Sequence, residues 1–438
     1  MSGAVDTSTP ERIPEFKQVL GHPRPLWMLF MSEFWERFAF YGIRWAMVLY
    51  IVAQFHGGDA SGEKPASELY GAYLALVYAG AIFGGYVADK LIGFQRSILL
   101  GAVFMSAGLF LLALPSEAMF KLGLATIIVG NGLFKPIIST MVGKLYAQGD
   151  ARRDSGFTIF YMGINIGALL APIVTQYLAK KVFGIEDMPA YKVVFIAAGV
   201  GMLLSLVWFW FGRRQLQGIG LPAEHQTGMR NVSLVVLFGA VIGIPMFYAL
   251  LTIDANLLQA ILMALFVIPA VMLVVEGLRE GKVARDKVVA MLVIFVFNVL
   301  FWMFFEQAGS SFNFLADRIV DRNIGMEGFF QAFAGTSDFP VSWFQSVNSV
   351  AIIALAPVLA WLWVKMGKNN PIIPRKFGLG LIFNGLAFLL LMYALSSLVD
   401  GEGKIPFWTL FMVYVIQSVG ELCLSPIGLA MVTKLAKP

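Results

Sequence analysis

Seven ionisable side chains lie where ions are costly. Glu33, Glu36, Arg37 and Arg44, then Lys135, Glu306 and Glu421, each fall inside long apolar runs. An ionised group at the centre of a bilayer costs at least about 2.5–3.5 kcal/mol, so such groups mark ion or substrate pathways. Four acids face three bases, and the carboxylate left over is suited to carry a proton reversibly. On a helix advancing 100° per residue, Glu33, Arg37, Tyr41 and Arg44 fall at about 0°, 40°, 80° and 20°, with Glu36 at about −60°. The five share one face, which must line a cavity or pack on other charged helices rather than meet lipid. For a single pair the plainer reading is glue between helices; five such groups on one span point to function.

The elements that must hold these groups follow from composition. The chain has 438 residues, 58% hydrophobic and 13% charged, with a mean hydropathy of +0.76, whereas a soluble domain carries about 25% charge. That excludes a soluble enzyme, a disordered chain and a collagen-like fibre. A lone cysteine, Cys423, excludes a disulfide scaffold. The net charge of +5 does not point to nucleic acid, because the basic residues lie between apolar runs rather than in a block. A bilayer-crossing helix needs about 20 apolar residues. Twelve segments qualify: 26–54, 68–87, 96–114, 118–142, 157–179, 192–211, 232–251, 255–275, 288–309, 341–364, 377–398 and 406–433. Residues 1–25 are polar and carry no cleavable signal pattern, so the first span is its own anchor.

Basic loops stay cytoplasmic. Of the 32 Lys and Arg, 21 fall in the termini and the alternate loops that share their side, eight in the other loops and three inside spans. Both ends are therefore expected in the cytoplasm. An internal repeat refines the architecture. Residues 129–145 (VGNGLFKPIISTMVGKL) and 419–435 (VGELCLSPIGLAMVTKL) are identical at eight of seventeen positions, including Pro136 with Pro426 and Lys144 with Lys434. The fourth span then corresponds to the twelfth, an offset of eight rather than six. Two inserted spans, 232–251 and 255–275, account for the difference, and four spans of an expected six follow them. The expected units are a cytoplasmic segment 1–25, a six-helix bundle 26–212, a linker and hairpin 213–286, and a C-terminal bundle 287–438 with its last two helices missing. The stretch 315–340, with Asp317, Arg318, Asp321, Arg322 and Glu327, reads as a solvated connection.

Motifs for soluble chemistry are absent. No GxxxxGK[ST] loop is present to cradle a nucleotide, and His22, His56 and His225 lie outside the spans, so neither an ATP-driven pump nor an intramembrane metal site is expected. Gly80 with Gly84, and Gly163 with Gly167, have the spacing of close helix packing.

Three runs carry a resemblance: Glu33-Phe34-Trp35-Glu36-Arg37-Phe38 with Tyr41, Phe160-Tyr161-Met162-Gly163-Ile164-Asn165-Ile166-Gly167, and Phe305-Glu306-Gln307-Ala308-Gly309-Ser310-Ser311. From about residue 24 to the end, the chain resembles the proton-coupled oligopeptide transporters of the major facilitator superfamily, in their bacterial form with a helix pair between the halves. The run Gly85-Tyr86-Val87-Ala88-Asp89-Lys90 is similar to the cytoplasmic gate motif of the wider superfamily. The resemblance implies an all-α polytopic membrane protein of that fold, with two pseudo-symmetric bundles plus an inserted hairpin.

By the same resemblance, Arg37 and Lys135 contact the peptide carboxylate and Glu421 meets its amino group. Tyr41, Tyr73, Asn165, Trp302 and Asn348 line the pocket. Glu33, Glu36 and Glu306 couple protons, Arg44 and Glu306 bridge the halves, and Gly85, Asp89 and Lys90 form the gate. Phe40 stands where the family usually has a tyrosine, so one pocket hydroxyl is lost. The implied partners are di- and tripeptides, protons and membrane lipid, with no cofactor, no catalytic residue, and action as a monomer in a bacterial inner membrane. Independently, a zwitterion of variable side chain calls for opposite charges at its ends and adaptable apolar surface between. The repeat puts Lys135 and Glu421 on corresponding helices of opposite halves. A facilitator for another small solute (an amino acid, nitrate or a drug) is the nearer alternative, and a non-transporting receptor or scaffold the more distant one.

Overall fold

A computed structural model describes residues 13–147, 149–185, 189–222 and 228–435, with side chains described as far as Leu424 except at Met229 and Ile373. Arg12 and Lys437, counted in the charge bias, and the side chains of Pro426 and Lys434, counted in the repeat, lie outside this set.

Among the described residues, twelve helices are long and apolar enough to cross a bilayer. They are α1 (Arg24–Phe55), α2 (Ala60–Ile92), α3 (Phe94–Leu112), α4 (Glu117–Gly143), α5 (Arg153–Val182), α6 (Tyr191–Leu216), α7 (Arg230–Thr252), α8 (Ala255–Glu280), α9 (Lys282–Arg318), α10 (Trp343–Lys365), α11 (Pro374–Ser397) and α12 (Phe407–Leu435). Each overlaps one expected span. The only strands among the described residues are two-residue pairings, Gln18–Val19 with His22–Pro23, and Val320–Asp321 with Ile405–Pro406.

Helix ends follow local chemistry. The Asp254 side chain caps α8, accepting from the Asn256 and Leu257 amides at 2.9 and 3.2 Å, which fixes the tight α7–α8 turn. Gly281 adopts φ +107° between α8 and α9, a conformation that glycine reaches without strain. Interior breaks matter more. α9 stops at Phe305, turns as a 3-10 segment over Glu306–Gly309 and resumes over Ser311–Arg318. Glu306 therefore sits at a discontinuity. α2 ends in a π turn over Ala88–Ile92 that carries Asp89 and Lys90.

Burial separates centre from periphery. In α1 and α4, 72% of the apolar window is buried, against 11% in α7 and 6% in α8. α1 packs on α5 and α6, α4 on α2 and α3, and α12 on α10 and α11. The α7–α8 hairpin leans on the outside, with Gly243 beside Val129 of α4 and Gly277 beside Arg285 of α9. Phe247, Leu251 and Leu258 are buried, while Leu237, Val241, Leu265 and Met272 are exposed apolar surface, which suits lipid.

Glycines set the closest helix approaches. A methyl on Gly132 would lie 2.6 Å from the Gly80 carbonyl oxygen, and one on Gly167 2.6 Å from that of Phe34, so both expected glycine pairs mark tight packing. The repeat has a structural counterpart here. Gly130 faces the Gly101 carbonyl of α3 at 2.7 Å on the same measure, and its repeat partner Gly420 faces the Gly380 carbonyl of α11 at 2.8 Å.

The 315–340 stretch corrects the expectation of a solvated connection. It contains a helix, Glu327–Phe333, whose Phe330 is 2% exposed and packs edge-on to Phe339 and Trp343. Arg318 pairs with Glu63 at 2.9 Å, and Arg322 donates to the Phe339 carbonyl at 2.9 Å. The charged residues singled out in the sequence are interleaved with aromatics, which supply the buried area.

Candidate functional site

The site is assembled on α1. Glu36 is fully buried, and Glu33, Arg37 and Arg44 are 2%, 4% and 6% exposed, so the charged face turns inward as the helical spacing requires. Arg37 donates Nη2–H to Glu36 Oε1 at 2.5 Å, and its Nε–H donates to the other oxygen. Its Nε also lies 3.4 Å from Glu33 Oε1, while Glu33 Oε2 has no partner. Two carboxylates thus share one guanidinium. Burying a surplus acid is unfavourable unless it is paired or neutralised by a proton, and this is the arrangement that the count of charges called for.

The second cluster joins the two halves of the molecule. Arg44 Nη2 donates to Glu306 Oε2 at 2.8 Å and Nε donates to the Tyr70 hydroxyl at 3.2 Å. Tyr70 in turn donates to the same carboxylate oxygen at 3.4 Å. The break in α9 brings Glu306 here, and Gly309 lets the Tyr70 ring approach, since a side chain at that position would overlap the hydroxyl. Tyr70 was not singled out in the sequence; nothing in its neighbourhood distinguishes it from other tyrosines of α2.

Lys135 on α4 is half-buried, its ammonium 5.1 Å from the Tyr78 ring centre and 5.7 Å from that of Phe40, within cation–π range. Opposite, Glu421 of α12 accepts from Asn348 Nδ2 of α10 at 3.0 Å. The same Asn348 nitrogen donates to Ser418 Oγ at 2.9 Å. Trp302 donates to Asn298 Oδ1 at 3.2 Å and stands edge-on to Phe305. Tyr41, Trp302, Asn348 and Glu421 are half-buried and so present polar surface. Tyr73, at 2% exposed, stands behind the Glu36–Arg37 pair. Asn165 is buried and donates to the Tyr161 carbonyl of its own helix at 3.0 Å. Gly85, Asp89 and Lys90 are remote from this centre, at the π turn, where Lys90 pairs with Asp89 at 3.0 Å on an exposed surface.

Among the described residues, the side-chain hydrogen bonds and ion pairs between the first six helices and α9–α12 lie toward one end. Besides Arg44–Glu306, Ser346 donates to the Leu169 carbonyl at 2.9 Å, Lys181 to the Gln331 carbonyl at 3.0 Å, and Arg318 pairs with Glu63. All lie at or beyond the middle of the helices on the side away from Arg24. A cavity of about 550 Å³, lined by Lys180, Asp317 and Arg322 among others, lies between the halves at this end. The described structure is closed there.

A twelve-span helical body, with buried charge clusters on central helices and an ion pair that joins its halves, has the architecture of a membrane transporter of the major facilitator type and not of an enzyme. Residues 95–438 match the family model described as the POT family. The chain is 35% identical over 455 residues to a peptide transporter of Yersinia enterocolitica subsp. palearctica, covering 99% of this chain and 85% of that one. It is 33% identical to a di-/tripeptide transporter of Lactococcus lactis subsp. cremoris, covering 96% and 85%. Among solved structures it resembles a peptide transporter POT in complex with sulfate, with a TM-score of 0.81 and 34% identity over 97% of this chain and 85% of that one. It also resembles a POT family transporter in complex with 5-aminolevulinic acid, with a TM-score of 0.79 and 32% identity over 96% and 86%. The chain belongs to the POT family.

Proposed function

We propose that this protein carries di- and tripeptides across the membrane, together with protons, by alternating access. The observation that carries the reading is the presence of a half-buried cation, Lys135, on α4 and a half-buried acid, Glu421, on the repeat-related α12. A zwitterion held between them would draw the halves together. Aromatic side chains, Tyr41, Tyr78 and Trp302, offer apolar surface that tolerates varied residues between the two ends. Glu33 and Glu36 share Arg37, and a proton on either acid removes the charge surplus. Release of the freed cation then biases the equilibrium between the two access states. Glu306 is the third coupling acid, because its protonation would loosen Arg44 and with it the closed end.

The excess of basic residues at the Arg24 end supports a cytoplasmic placement of that side. On that orientation the closed end is extracellular and the described state is open to the cell interior. Transport runs inward across a bacterial inner membrane, by a monomer and without a cofactor. The test is dialanine uptake into proteoliposomes under an imposed pH gradient. Charged hydrogen bonds are worth about 1.5–3 kcal/mol, so Lys135→Ala and Glu421→Ala should each weaken dialanine binding by at least ten-fold. Unaltered affinity in both would sink the clamp. Glu36→Gln should abolish gradient-driven uptake, and full uptake by that variant would remove Glu36 from coupling. Competition by free amino acids as effective as that by dipeptides would favour a different solute.

A further inference from the structure

Asn131 stands inside the charged network with its carbonyl oxygen unused. It is 1% exposed. Its Nδ2 donates to Glu36 Oε1 at 3.5 Å, and its Oδ1 has no partner. A carboxamide can donate twice and accept twice, and an unpaired buried carbonyl costs about 1–3 kcal/mol. Leucine would fill this space without that penalty.

The position of this amide is fixed by backbone packing. Residues 130, 131 and 132 of α4 point about 100° apart. A methyl on Gly130 would lie 2.7 Å from the Gly101 carbonyl oxygen and from Met105 of α3, and one on Gly132 would meet Gly80 of α2. Glycine on either side lets α3 and α2 clamp α4, which leaves Asn131 directed at the third neighbour, α1, at the level of Glu36. The repeat sets Asn131 opposite Glu421, which follows Gly420 as Asn131 follows Gly130, and Gly420 is likewise clamped, against Gly380. The titratable and charged groups that face Glu36 are Glu33 and Arg37 of α1, Tyr73 of α2 and Lys135, one turn beyond Asn131 on α4. On the α3 side, the atoms nearest Gly130 belong to uncharged Gly101 and Met105.

We propose that Asn131 is a positioning residue that serves Glu36 in both protonation states, donating from Nδ2 to the carboxylate and turning to accept at Oδ1 from the carboxylic acid. An ionised carboxylate only accepts, whereas the acid must also donate. Arg37 takes one lone pair on each Glu36 oxygen and Asn131 Nδ2 a second on Oε1, so a proton that adds to Oε1 takes the place Nδ2 vacates, and its O–H needs an acceptor. The unpartnered Oδ1 belongs to a side chain already in contact. The proton comes from the aqueous phase and forms an O–H bond at Glu36 Oε1; the hydrogen bond from Asn131 Nδ2 is given up, one from the acid O–H to Asn131 Oδ1 forms, and no covalent bond of the protein breaks. The inference rests on the proton-coupling reading above and assigns the partner of its proton site.

The test compares wild type, Asn131→Leu and Asn131→Ser in proteoliposomes by gradient-driven dialanine uptake and by gradient-free dialanine counterflow. Asn131→Leu should lose ten-fold or more of the driven uptake with counterflow within two-fold of wild type. Asn131→Ser, whose hydroxyl both donates and accepts, should recover driven uptake to within three-fold. Parallel loss of both activities, the mark of a merely structural role, overturns the proposal, as does driven uptake left intact in Asn131→Leu. A second measurement does not depend on transport: the carboxylic C=O stretch in pH-difference infrared spectra, assigned to Glu36 by its loss in Glu36→Gln. That band should move to higher frequency in Asn131→Leu. A band that does not move, or the absence of a Glu36 band in wild type, overturns the assignment. If wild type shows no gradient-driven uptake, the coupling reading fails and the infrared comparison alone decides Asn131.

Discussion

Replacing Glu306 by glutamine keeps the shape of the side chain and removes its charge, and the consequence can be worked from the contacts. Arg44 and Glu306 meet at 2.8 Å with side chains 7% and 22% exposed. Stripping one partner from a fully buried pair costs about 3–5 kcal/mol, but Glu306 keeps some solvent, and Arg44 retains Tyr70 at 3.2 Å. The appropriate scale is therefore that of one charged hydrogen bond, about 1.5–3 kcal/mol. This interaction exists only while the halves meet at this end, so the loss falls on the closed state. At 1.4 kcal/mol per decade, Glu306→Gln should raise the ratio of open to closed by roughly 10- to 150-fold. Spin labels at Glu68 and Glu327, exposed positions on opposite halves at the closed end, would report it by double electron–electron resonance. The background is Cys423→Ser, because Cys423 is the single cysteine. The long-distance population should grow ten-fold or more in liposomes. A distribution that matches wild type would refute the reasoning, because the pair would then not hold the halves together.

Other consequences are open to direct measurement. Gly132→Ala places a methyl 2.6 Å from the Gly80 carbonyl; overpacking of this kind costs about 1–3 kcal/mol, and the variant should melt several degrees lower in detergent while an alanine at Gly71, which meets nothing, leaves the Tm unchanged. The Glu63–Arg318 pair is about one-third exposed and so worth at most about 1 kcal/mol. Glu63→Arg should shift the same spin-label distances slightly toward the open end, and the double exchange with Arg318→Glu should restore them. Hydrogen bonds from Arg152 hold the Asp150 carboxyl down to about 2. With the folded value below the ordinary one, its contribution to stability is complete above about pH 4 and is lost only as the pH falls toward 2. Asp150→Asn should therefore lower the Tm by the same amount at pH 5 and pH 8.

Local sequence was enough for the twelve spans, because a run of about 20 apolar residues in a bilayer has to satisfy its backbone hydrogen bonds within itself. It was also enough for the inward face of α1, since 100° per residue places Glu33, Glu36, Arg37, Tyr41 and Arg44 together whatever surrounds them. The matched runs at 129–145 and 419–435 already placed α4 and α12 in register. What they could not disclose was the partner of each charge. Glu306 reaches Arg44 only because α9 breaks into a 3-10 turn at that residue, and a break of this kind depends on what packs against it. Tyr70 and Asn131 carry no charge, so the cost of burial that exposed the other site residues gave no sign of them. Asn131 could have been found from its alignment with Glu421 in the repeat. The 315–340 stretch was misread because charge was weighed one residue at a time, while its phenylalanines pack on Trp343 and Phe344 at the start of α10 and on Phe407 of α12, the last far away in sequence. A single chain fixes helix length and face through its own backbone hydrogen bonds and side-chain spacing, whereas ion pairs, aromatic contacts and the closure of one end depend on which helices pack together, and that is a property of the whole fold rather than of any one stretch of sequence.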